Sequence, residues 1–487
     1  MTLPGSLART SLLQLVLLLT VALILRCDTF GDPNIGGDEV FYHQVGLAMH
    51  HGAWPYVDVW DRKPFGLFAL YYLISAISDA PIAYQIAATL FAALTALVIS
   101  LIAARWTGQR GALLAGISYL LWLGPLQGFG GQSPVFYNLF IASAALLVFT
   151  ALPELRRGQV PRRVLVAMLL CGCAISIKTS AFAEAVFIGL VAWHALFRSK
   201  CSRRLAFATG LIWMAIGAAP TVGIALTYWV HGSWHEFWHA MVTANLDKPV
   251  DWHTAGLRIL LMFISLSPVV IIAALGLLEQ QRGPRLIILA WLAAALAGLA
   301  AVPNFYIHYA LPLLVPMCVA ASAFLDRPKL GPASLIVLAI LSITIAPIFQ
   351  FQHTRQSRAA IAALTQTVNA AVGDGPLLIY DGPPQIYQTS GQPFITPLVF
   401  PTHLSQLIER DVSHLSTLSE TERVLSLNPG AVVMALRPRN APSNSATRNR
   451  VLAYVGTNCR LVSVIDVPER LRHDLIAVWG YCRKPGL

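Results

Sequence analysis

Long apolar runs separated by short polar segments occupy most of the first 350 residues of the chain. A transmembrane α-helix needs about 20 predominantly apolar residues, and somewhat fewer when flanking charged side chains reach the interface. Runs of this kind lie at about 10–26, 81–104, 111–126, 137–153, 164–178, 180–197, 205–229, 258–278, 286–302, 309–325 and 331–350. The pattern predicts an all-α polytopic membrane domain, residues 1–350, with about eleven transmembrane helices.

The pattern changes after residue 350, where polar residues become frequent. Apolar positions at helical spacing predict an amphipathic helix over 355–372. Short apolar runs bounded by Pro- and Gly-rich turns predict strands at 376–380, 430–436 and 460–467. Residues 351–487 are therefore predicted to form a small C-terminal α/β domain.

The positions of Lys and Arg predict how the chain is oriented in the membrane. Only 12% of the residues are charged, against roughly 25% in soluble domains, and the formal net charge is +11. The positive residues cluster in short loops between alternate apolar runs, as the positive-inside rule requires when the N-terminus is cytoplasmic. This distribution explains the net charge by topology, so a nucleic-acid partner is not expected.

This orientation places the first loop, residues 28–79, and the C-terminal domain on the outer side. It predicts a multi-pass protein of the bacterial inner (plasma) membrane with a periplasmic C-terminal domain, in contact with membrane lipids. Cys459 and Cys482 both lie in that domain and can pair in an oxidising compartment, but the sequence leaves their pairing open.

The first outer loop is unusually rich in carboxylates. They are Asp28, Asp32, Asp38, Glu39, Asp58 and Asp61. Aromatic residues and prolines are interleaved with them, which favours a structured loop at the membrane surface over an ordinary solvated one. Asp38 and Glu39 begin a stretch with helical apolar spacing, so the helix dipole is expected to stabilise their ionised forms. An ordinary N-cap is the structural alternative.

Lys63 precedes Pro64 and a second apolar run in the same loop. A proline at the first helical position leaves backbone N–H groups free beside the lysine, an arrangement suited to a phosphate. The alternative is a lysine that reaches from the membrane interface to water. Further along, Lys178 and Glu184 lie within or between apolar runs. They either line a route for lipid or acceptor, or form a salt bridge across a short turn.

The order of these motifs resembles that of the GT-C glycosyltransferases. The stretch GDEVFYHQVGLAMHHGAWPYVDVWDRKPFGLFALYYL (37–73) is similar to the first outer loop of the branch that contains protein O-mannosyltransferases and the lipid A aminoarabinose transferase. NFYIHYALPLLVP (304–316) resembles the His-Tyr segment at the outer end of a late span. The tail segment DGPPQIYQTSGQPFITP resembles the outward domain of bacterial members.

The resemblance implies a membrane glycosyltransferase that moves a sugar from a polyprenyl-phosphate donor to a lipid, glycan or protein hydroxyl, with inversion. By position, Asp38, with Glu39 beside it, would orient or deprotonate the acceptor hydroxyl. The residues that would bind the donor phosphate are Lys63, Arg62, His308 and Tyr309. Those expected to line the substrate cavity are Tyr56, Asp58, Gln132, Lys178 and Glu184.

Departures from the family pattern leave other options open. Gln132 and Ser133 occur where many relatives have a second acidic residue, and Arg62 stands where some relatives have an acidic metal ligand. A divalent metal ion held by Asp61 and Asp38 is therefore one option, and no cofactor is the other. A transporter or flippase of a lipid-linked sugar, and a non-catalytic relative that only binds such a lipid, are the competing functions.

Overall fold

The computed structural model describes residues 5–247, 249–439, 442–470 and 472–482, with side chains from residue 12 onward. Two compact units are formed from interleaved segments of the chain. The first, called the helical unit below, contains Met1–Asp28, Ile86–Ile224 and Asp251–Phe349. The second, called the composite unit, contains Thr29–Gln85, Ala225–Val250 and Gln350–Leu487.

Long apolar helices dominate the N-terminal three quarters of the chain. Their bounds are Gly5–Arg26, Ile82–Ala103, Gln109–Leu123, Ser133–Leu155, Arg163–Ile177, Phe182–Phe197, Arg203–Val230, Trp252–Glu279, Arg282–Ala300, Leu314–Leu325 and Leu330–Ile345. Within the described residues, eight helical segments are long and apolar enough to cross a bilayer, and three shorter apolar helices accompany them. The polytopic helical architecture is confirmed, whereas the number of spans stays a prediction.

Small residues allow close packing between helices of the helical unit. A Cβ atom added at Gly276 would lie 2.1 Å from the Ala320 carbonyl oxygen, and one at Gly172 would lie 2.3 Å from that of Gly217. Large apolar side chains such as Leu211, Met214 and Trp229 are instead more than 60% exposed. Exposed apolar surface combined with glycine-mediated helix contacts is the pattern expected of helices surrounded by lipid.

The composite unit contains a four-stranded sheet in the order β1-β2-β4-β3. The strands are β1 (Leu377–Asp381), β2 (Ala431–Ala435), β3 (Arg460–Glu469) and β4 (Arg472–Gly480). β1 and β2 are parallel, and the other two pairings are antiparallel. The predicted strands β1, β2 and β3 are confirmed, but β4 was missed because polar residues begin it and only its middle is apolar.

Three helices of this unit carry labels below: α1 (Gly37–His50), α2 (Phe65–Ser75) and α3 (Phe351–Ala371), the last of which confirms the predicted amphipathic helix. The same unit also contains shorter helices, which span Trp234–Trp238, Ala244–Asp247, Ile386–Thr389, Pro401–Ser405, Thr417–Ser426 and Ser445–Asn458. The small α/β part of the fold prediction is therefore confirmed.

The first loop and the C-terminal segment share one hydrophobic core. Trp60, only 1% exposed, belongs to the same buried cluster as Leu378, Tyr380, Val432 and Met434. Its backbone N–H also donates to the carbonyl of Pro397 at 2.9 Å. Full burial of a large apolar side chain stabilises a fold by about 1.5–3 kcal/mol. The loop is thus held by core residues of the C-terminal segment, which lies hundreds of residues away in sequence.

Buried polar contacts fix the start of this loop as well. The fully buried Asp32 accepts hydrogen bonds from the Ser357 hydroxyl and the Asn34 backbone N–H. Burial raises the pKa of this carboxyl, and these two donors oppose the shift. The Gln385 amide nitrogen donates to Asn34 Oδ1 and to the carbonyl of Pro33, each at 3.0 Å. Residues 32–34 are therefore bonded to both α3 and the segment after β1.

Cys459 and Cys482, whose pairing the sequence left open, form a disulfide. Cys459 immediately precedes β3, and Cys482 follows β4. The bond therefore joins the two ends of the β3–β4 hairpin and closes a loop with a sequence separation of 23.

Replacing both cysteines with serine is expected to destabilise this hairpin by about 3 kcal/mol, because the unfolded chain regains the freedom that loop closure removes. Hydrogen exchange followed by mass spectrometry should show faster exchange of the β3 and β4 amides, with little change in the long apolar helices. Cys201→Ser is the matched control. Unchanged β3 and β4 protection in the double variant would contradict the assignment.

Candidate functional site

The predicted helix after the first span is α1, which begins at Gly37 with Gly36 in an extended N-cap conformation. Its first turn carries Asp38 and Glu39, whose side chains have different surroundings. Glu39 is 1% exposed and lies within electrostatic range of Tyr71 and Tyr84. Asp38 is half-buried and interacts with Tyr42, one turn further along α1. Only Asp38 therefore belongs to the polar cluster that surrounds the Tyr42 phenol.

A tight turn between α1 and α2 positions the second part of the site. Asp58 Oδ2 accepts the Trp54 backbone N–H at 2.7 Å, and the Tyr56 N–H donates to the Val59 carbonyl. Tyr56 has φ 71°, a left-handed conformation that costs a non-glycine residue about 1–3 kcal/mol. Its ring is completely buried, and its hydroxyl donates to the Lys63 carbonyl at 2.8 Å. Burial of this ring offsets the strain and fixes the backbone at Lys63.

The Lys63 ammonium lies between an aromatic ring and a carboxylate. Nζ is 5.3 Å from the centroid of the Tyr42 ring and 4.0 Å from Asp61 Oδ1. The same Asp61 oxygen accepts the Lys63 backbone N–H at 3.0 Å. The lysine side chain is 21% exposed, whereas that of Asp61 is 6% exposed. Asp61 thus orients a cation that an incoming ligand can still reach.

Tyr42 connects the three charged groups. Burial and the neighbouring Asp38 carboxylate raise the pKa of its phenol well above the ordinary value, and Lys63 only partly opposes this shift. The hydroxyl group is therefore protonated at any physiological pH. A neutral hydrogen-bond donor stands beside both carboxylates and the ammonium group.

His403 completes this cluster. It could not be singled out from the sequence, because FPTHLS looks like an ordinary turn. Its Nε2 lies 4.0 Å from Asp61 Oδ2, and its ring packs edge-on against Trp60 at 4.8 Å. The side chain is 3% exposed. Burial lowers the pKa of His403 to about 4, although Asp61 and Glu409 act in the opposite direction. The imidazole is neutral at physiological pH.

Arg62 forms a two-point contact with Glu409. Arg62 Nη2 donates to the two carboxylate oxygens at 2.8 and 2.9 Å, and both side chains are largely buried. Glu409, like His403, comes from the C-terminal segment. This segment therefore supplies partners for two consecutive residues of the loop, Asp61 and Arg62, immediately before Lys63.

Asp38 and Asp61, the two predicted metal ligands, each lie beside another polar or charged side chain. Asp61 already faces the Lys63 ammonium, whose charge opposes a second cation, and Asp38 faces Tyr42. Among the residues that the structure describes, no group of three or more His, Cys, Asp or Glu side chains is placed to hold a metal ion. The dependence on a divalent metal ion therefore stays a prediction.

Five of the predicted site residues belong to the helical unit. Lys178 Nζ lies 4.9 Å from the centroid of the Tyr309 ring, and the rings of His308 and Tyr309 are 4.8 Å apart. Glu184 is buried and accepts the Trp291 Nε1–H at 2.7 Å. Gln132 is the N-cap of helix Ser133–Leu155. Lys178, His308 and Tyr309 thus form one cluster, while Glu184 has a different partner.

The remaining predicted residues lie in the composite unit. They are Asp38, Glu39, Tyr56, Asp58, Asp61, Arg62 and Lys63. The structure brings Asp38, Asp61 and Lys63 together around Tyr42. It directs Glu39, Arg62 and Asp58 to other partners within the same unit.

Comparison with known proteins gives a result for structure and none for sequence. No protein-family model matches the chain, and no curated protein matches its sequence. The fold is similar to that of ArnT from Cupriavidus metallidurans bound to undecaprenyl phosphate, with a TM-score of 0.62 and 14% identity over 98% of each chain. Apo ArnT gives a TM-score of 0.61 and 15% identity, over 97% of this chain and 98% of that one.

A second similar structure is the archaeal oligosaccharyltransferase AglB from Archaeoglobus fulgidus, in complex with an inhibitory peptide and a dolichol-phosphate. The TM-score is 0.52 and the identity 13%, over 89% of this chain and 70% of that one. ArnT and AglB are both GT-C proteins. The chain shares the fold of ArnT and AglB. The resemblance that the loop motifs indicated is confirmed at this level, over nearly the whole length of ArnT.

The stability of the composite unit is expected to decrease as the pH falls from about 6.5 through about 4. Burial lowers the pKa of His43 and of His403 from 6.5 to about 4, so the unfolded chain binds protons that the folded chain excludes. Between pH 7.5 and pH 5, His403→Gln should lose about 2 kcal/mol less unfolding free energy than the wild type. This difference corresponds to about 4–8 °C in unfolding temperature.

Thermal unfolding of detergent-solubilised wild type and His403→Gln at pH 7.5 and pH 5 measures this difference. The exposed His253, changed to Gln, is the control and should leave the acid dependence as it is in the wild type. The same acid-induced loss in His403→Gln and in the wild type would show that His403 is not a buried neutral group.

Proposed function

We propose that this chain is an integral membrane glycosyltransferase. It transfers a sugar from a polyprenyl-phosphate donor to a hydroxyl group of a lipid, glycan or protein at the outer face of the membrane, with inversion. The observation that carries the proposal is the Lys63 ammonium, held by Asp61 beside Tyr42 and Asp38 in a chain with a GT-C fold.

The ligands of the similar structures support a lipid-linked phosphate as the substrate. One ArnT structure contains undecaprenyl phosphate, and the AglB structure contains a dolichol-phosphate together with a peptide. These are proteins with the same fold and low sequence identity, so they suggest the class of donor and leave its sugar open. They leave the chemical identity of the acceptor open as well.

Lys63 is proposed to stabilise the donor phosphate as it leaves. When the bond between the sugar and the phosphate oxygen breaks, negative charge grows on the phosphate, and a fixed cation lowers the barrier. Two unit charges 4 Å apart interact by about 4 kcal/mol at an effective dielectric constant of 20. Asp61 is a positioning residue because it contacts Lys63. The neutral His403, which lies beside Asp61, is a positioning residue as well and adds no second positive charge.

Asp38 is proposed to orient and deprotonate the acceptor hydroxyl. General-base help of this kind contributes typically about 10²–10⁴-fold to the rate. The Tyr42 phenol, neutral beside Asp38 and Lys63, can donate a hydrogen bond to the donor phosphate or the acceptor oxygen. Direct attack of the acceptor on the side of the sugar opposite the leaving phosphate inverts the anomeric carbon and needs no carboxylate nucleophile.

The remaining candidates receive supporting roles in this proposal. Glu39, buried near Tyr71 and Tyr84, anchors the first turn of α1. Arg62, through Glu409, secures the loop that carries Lys63. His308 and Tyr309 are proposed to contact the lipid phosphate, and Gln132, Lys178 and Glu184 to line the substrate cavity.

The proposed location is the bacterial inner membrane, with a cytoplasmic N-terminus and a periplasmic C-terminal segment. The Cys459–Cys482 disulfide supports an oxidising compartment for that segment, because cytoplasmic thiols are kept reduced. The clustering of Lys and Arg in alternate short loops supports the same orientation.

Transfer of labelled sugar from a panel of polyprenyl-phosphate sugars to cell-envelope lipids and glycans, by protein reconstituted in liposomes, tests the proposal. Asp38→Asn should lower kcat/KM about 10²–10⁴-fold through loss of the base. Lys63→Ala should lower it at least about 10²-fold through loss of charge stabilisation. The exposed residues Asp374 and Lys200, changed to Asn and Ala, are matched controls that should retain activity.

Full activity of Asp38→Asn or Lys63→Ala would contradict the assigned roles. Donor binding is measured in the same samples. Donor binding without turnover would favour a lipid-sugar-binding protein, and movement of the donor between leaflets without transfer would favour a flippase. No binding of any lipid-linked sugar would overturn the proposed function.

A further inference from the structure

An open cleft of about 890 Å³ lies in the composite unit, and its described lining contains neither Asp38 nor Lys63. One wall comes from the C-terminal half of α1 and the turn after it, and the other from the segment 387–397. The side chains that characterise it are Gln44, His51, Asp58, Asp79, Gln388 and Phe394. Cavities of roughly 300–1,000 Å³ are typical of small-molecule sites.

A smaller pocket of about 250 Å³ shares Gln44, Asp79 and Gln388 with the cleft. It is also lined by His43 and Gln385, which are 2% and 3% exposed. Within the described residues, His43 Nε2 and Gln385 Oε1 have no hydrogen-bond partner. A buried polar atom left unpaired costs about 1–3 kcal/mol. Two such atoms around one pocket are available to form hydrogen bonds with a hydroxyl-bearing ligand or with water.

The described lining of both cavities differs from the proposed phosphate site because it contains no cation of the kind that Lys63 provides there. The chain has 34 Lys and Arg residues, yet the described lining of the cleft and the pocket includes none of them. Asp58 and Asp79 provide carboxylates, and Gln44, Gln388 and Gln392 provide amides. Carboxylate oxygens repel anions and accept hydrogen bonds from hydroxyl and ammonium groups. The lining therefore disfavours a phosphate or sulfate group.

Apolar surface accompanies these polar groups. The half-buried Phe394 ring and Leu47 line the cleft, and Phe394 packs edge to face on the buried ring of Tyr387, with centroids 5.2 Å apart. The Gln44 amide nitrogen donates to Gln388 Oε1 at 2.9 Å, so the two walls are linked at one point. An aromatic surface bordered by a few planar hydrogen-bonding side chains suits the apolar face and the hydroxyl edge of a sugar ring.

The cleft adjoins the loop that carries Lys63. Asp58 lines the cleft, and its carboxylate closes the turn that contains Tyr56. Pro397 also lines it, and its carbonyl accepts the N–H of Trp60. A ligand in the cleft would therefore contact the same short segment that positions the proposed phosphate-binding lysine.

We propose that this cleft binds a neutral or amine-bearing oligosaccharide that carries no anionic group. Resting on the proposed function, this oligosaccharide is part of the acceptor. The reaction site would then hold the lipid phosphate at Lys63, and the cleft would hold the hydroxyl-rich partner on a surface whose described lining has no Lys or Arg.

A glycan array with neutral, amino-sugar and anionic oligosaccharides, probed with the fluorescently labelled full chain in detergent, tests the proposal. The wild type should bind neutral or amino-sugar glycans in preference to anionic ones. Gln388→Leu should reduce that binding at least tenfold, and Asp79→Lys should abolish the preference for amine-bearing over anionic glycans. The exposed Gln356, on α3 and outside the lining, serves as a matched control when changed to Leu.

Absence of binding to all neutral and amino-sugar glycans, or a preference for anionic ones, would overturn the proposal. So would binding that survives both Gln388→Leu and Asp79→Lys unchanged. The array needs no turnover, so its outcome is independent of the transfer assay. Glycan binding without sugar transfer would contradict the proposed glycosyltransferase function and leave the proposed oligosaccharide binding in the cleft intact. Sugar transfer without glycan binding would contradict only the proposed binding in the cleft.

Discussion

Burial of Trp60 in the core beneath the C-terminal sheet is the contact on which the proposed site depends. Trp60 is followed directly by Asp61, Arg62 and Lys63, so fixing its position fixes the place of the proposed phosphate-binding lysine. The first loop could not hold this geometry alone, since a short segment has too little apolar surface to offset its conformational entropy. It gains that surface from the C-terminal segment, which also supplies His403 beside Asp61 and Glu409 as the partner of Arg62.

Within this frame, the protonation states of the site follow from burial. Tyr42 and His403 are both buried and neutral at physiological pH, one because burial raises its pKa and the other because burial lowers it. The charged groups in the described cluster are the carboxylates of Asp38 and Asp61 and the ammonium of Lys63. The cation is compensated by Asp61 before a ligand arrives. In the proposed reaction, the phosphate gains a second negative charge as its bond to the sugar breaks, and it can then compete with Asp61 for Lys63. Asp38 then remains available for proton transfer.

Much of the fold could be predicted from the sequence, because hydrophobic periodicity is a local property. The apolar runs, the helix that begins at Gly37, the amphipathic helix α3 and three of the four strands all followed from it. The polar candidates Asp38, Asp61 and Lys63 could be singled out because carboxylates and lysines are rare in so apolar a chain. The number of transmembrane helices stays a prediction, since α2 is apolar but short and Gln109–Leu123 is only 15 residues long.

The sequence could not predict the contacts that assemble the site. His403 and Glu409 lie more than 300 residues from their partners, and nothing local in FPTHLS or in QLIER marks them as neighbours of Lys63. Tyr42 is one of several aromatic residues interleaved with the carboxylates of the first loop, and nothing local distinguishes it from the others. Its role depends on i, i+4 proximity to Asp38 together with the tertiary approach of Lys63. The pairing of Cys459 with Cys482 likewise depended on the approach of β3 and β4, and β4 itself was missed.

The most direct measurement of the central claim is an experimental structure of the full chain with undecaprenyl phosphate bound. We expect a phosphate oxygen within about 3 Å of Lys63 Nζ, the distance of a charge-assisted hydrogen bond. We also expect Asp61 and His403 to keep their places behind the lysine. A phosphate bound elsewhere, with Lys63 Nζ more than about 6 Å away and still directed at Asp61, would contradict the central claim.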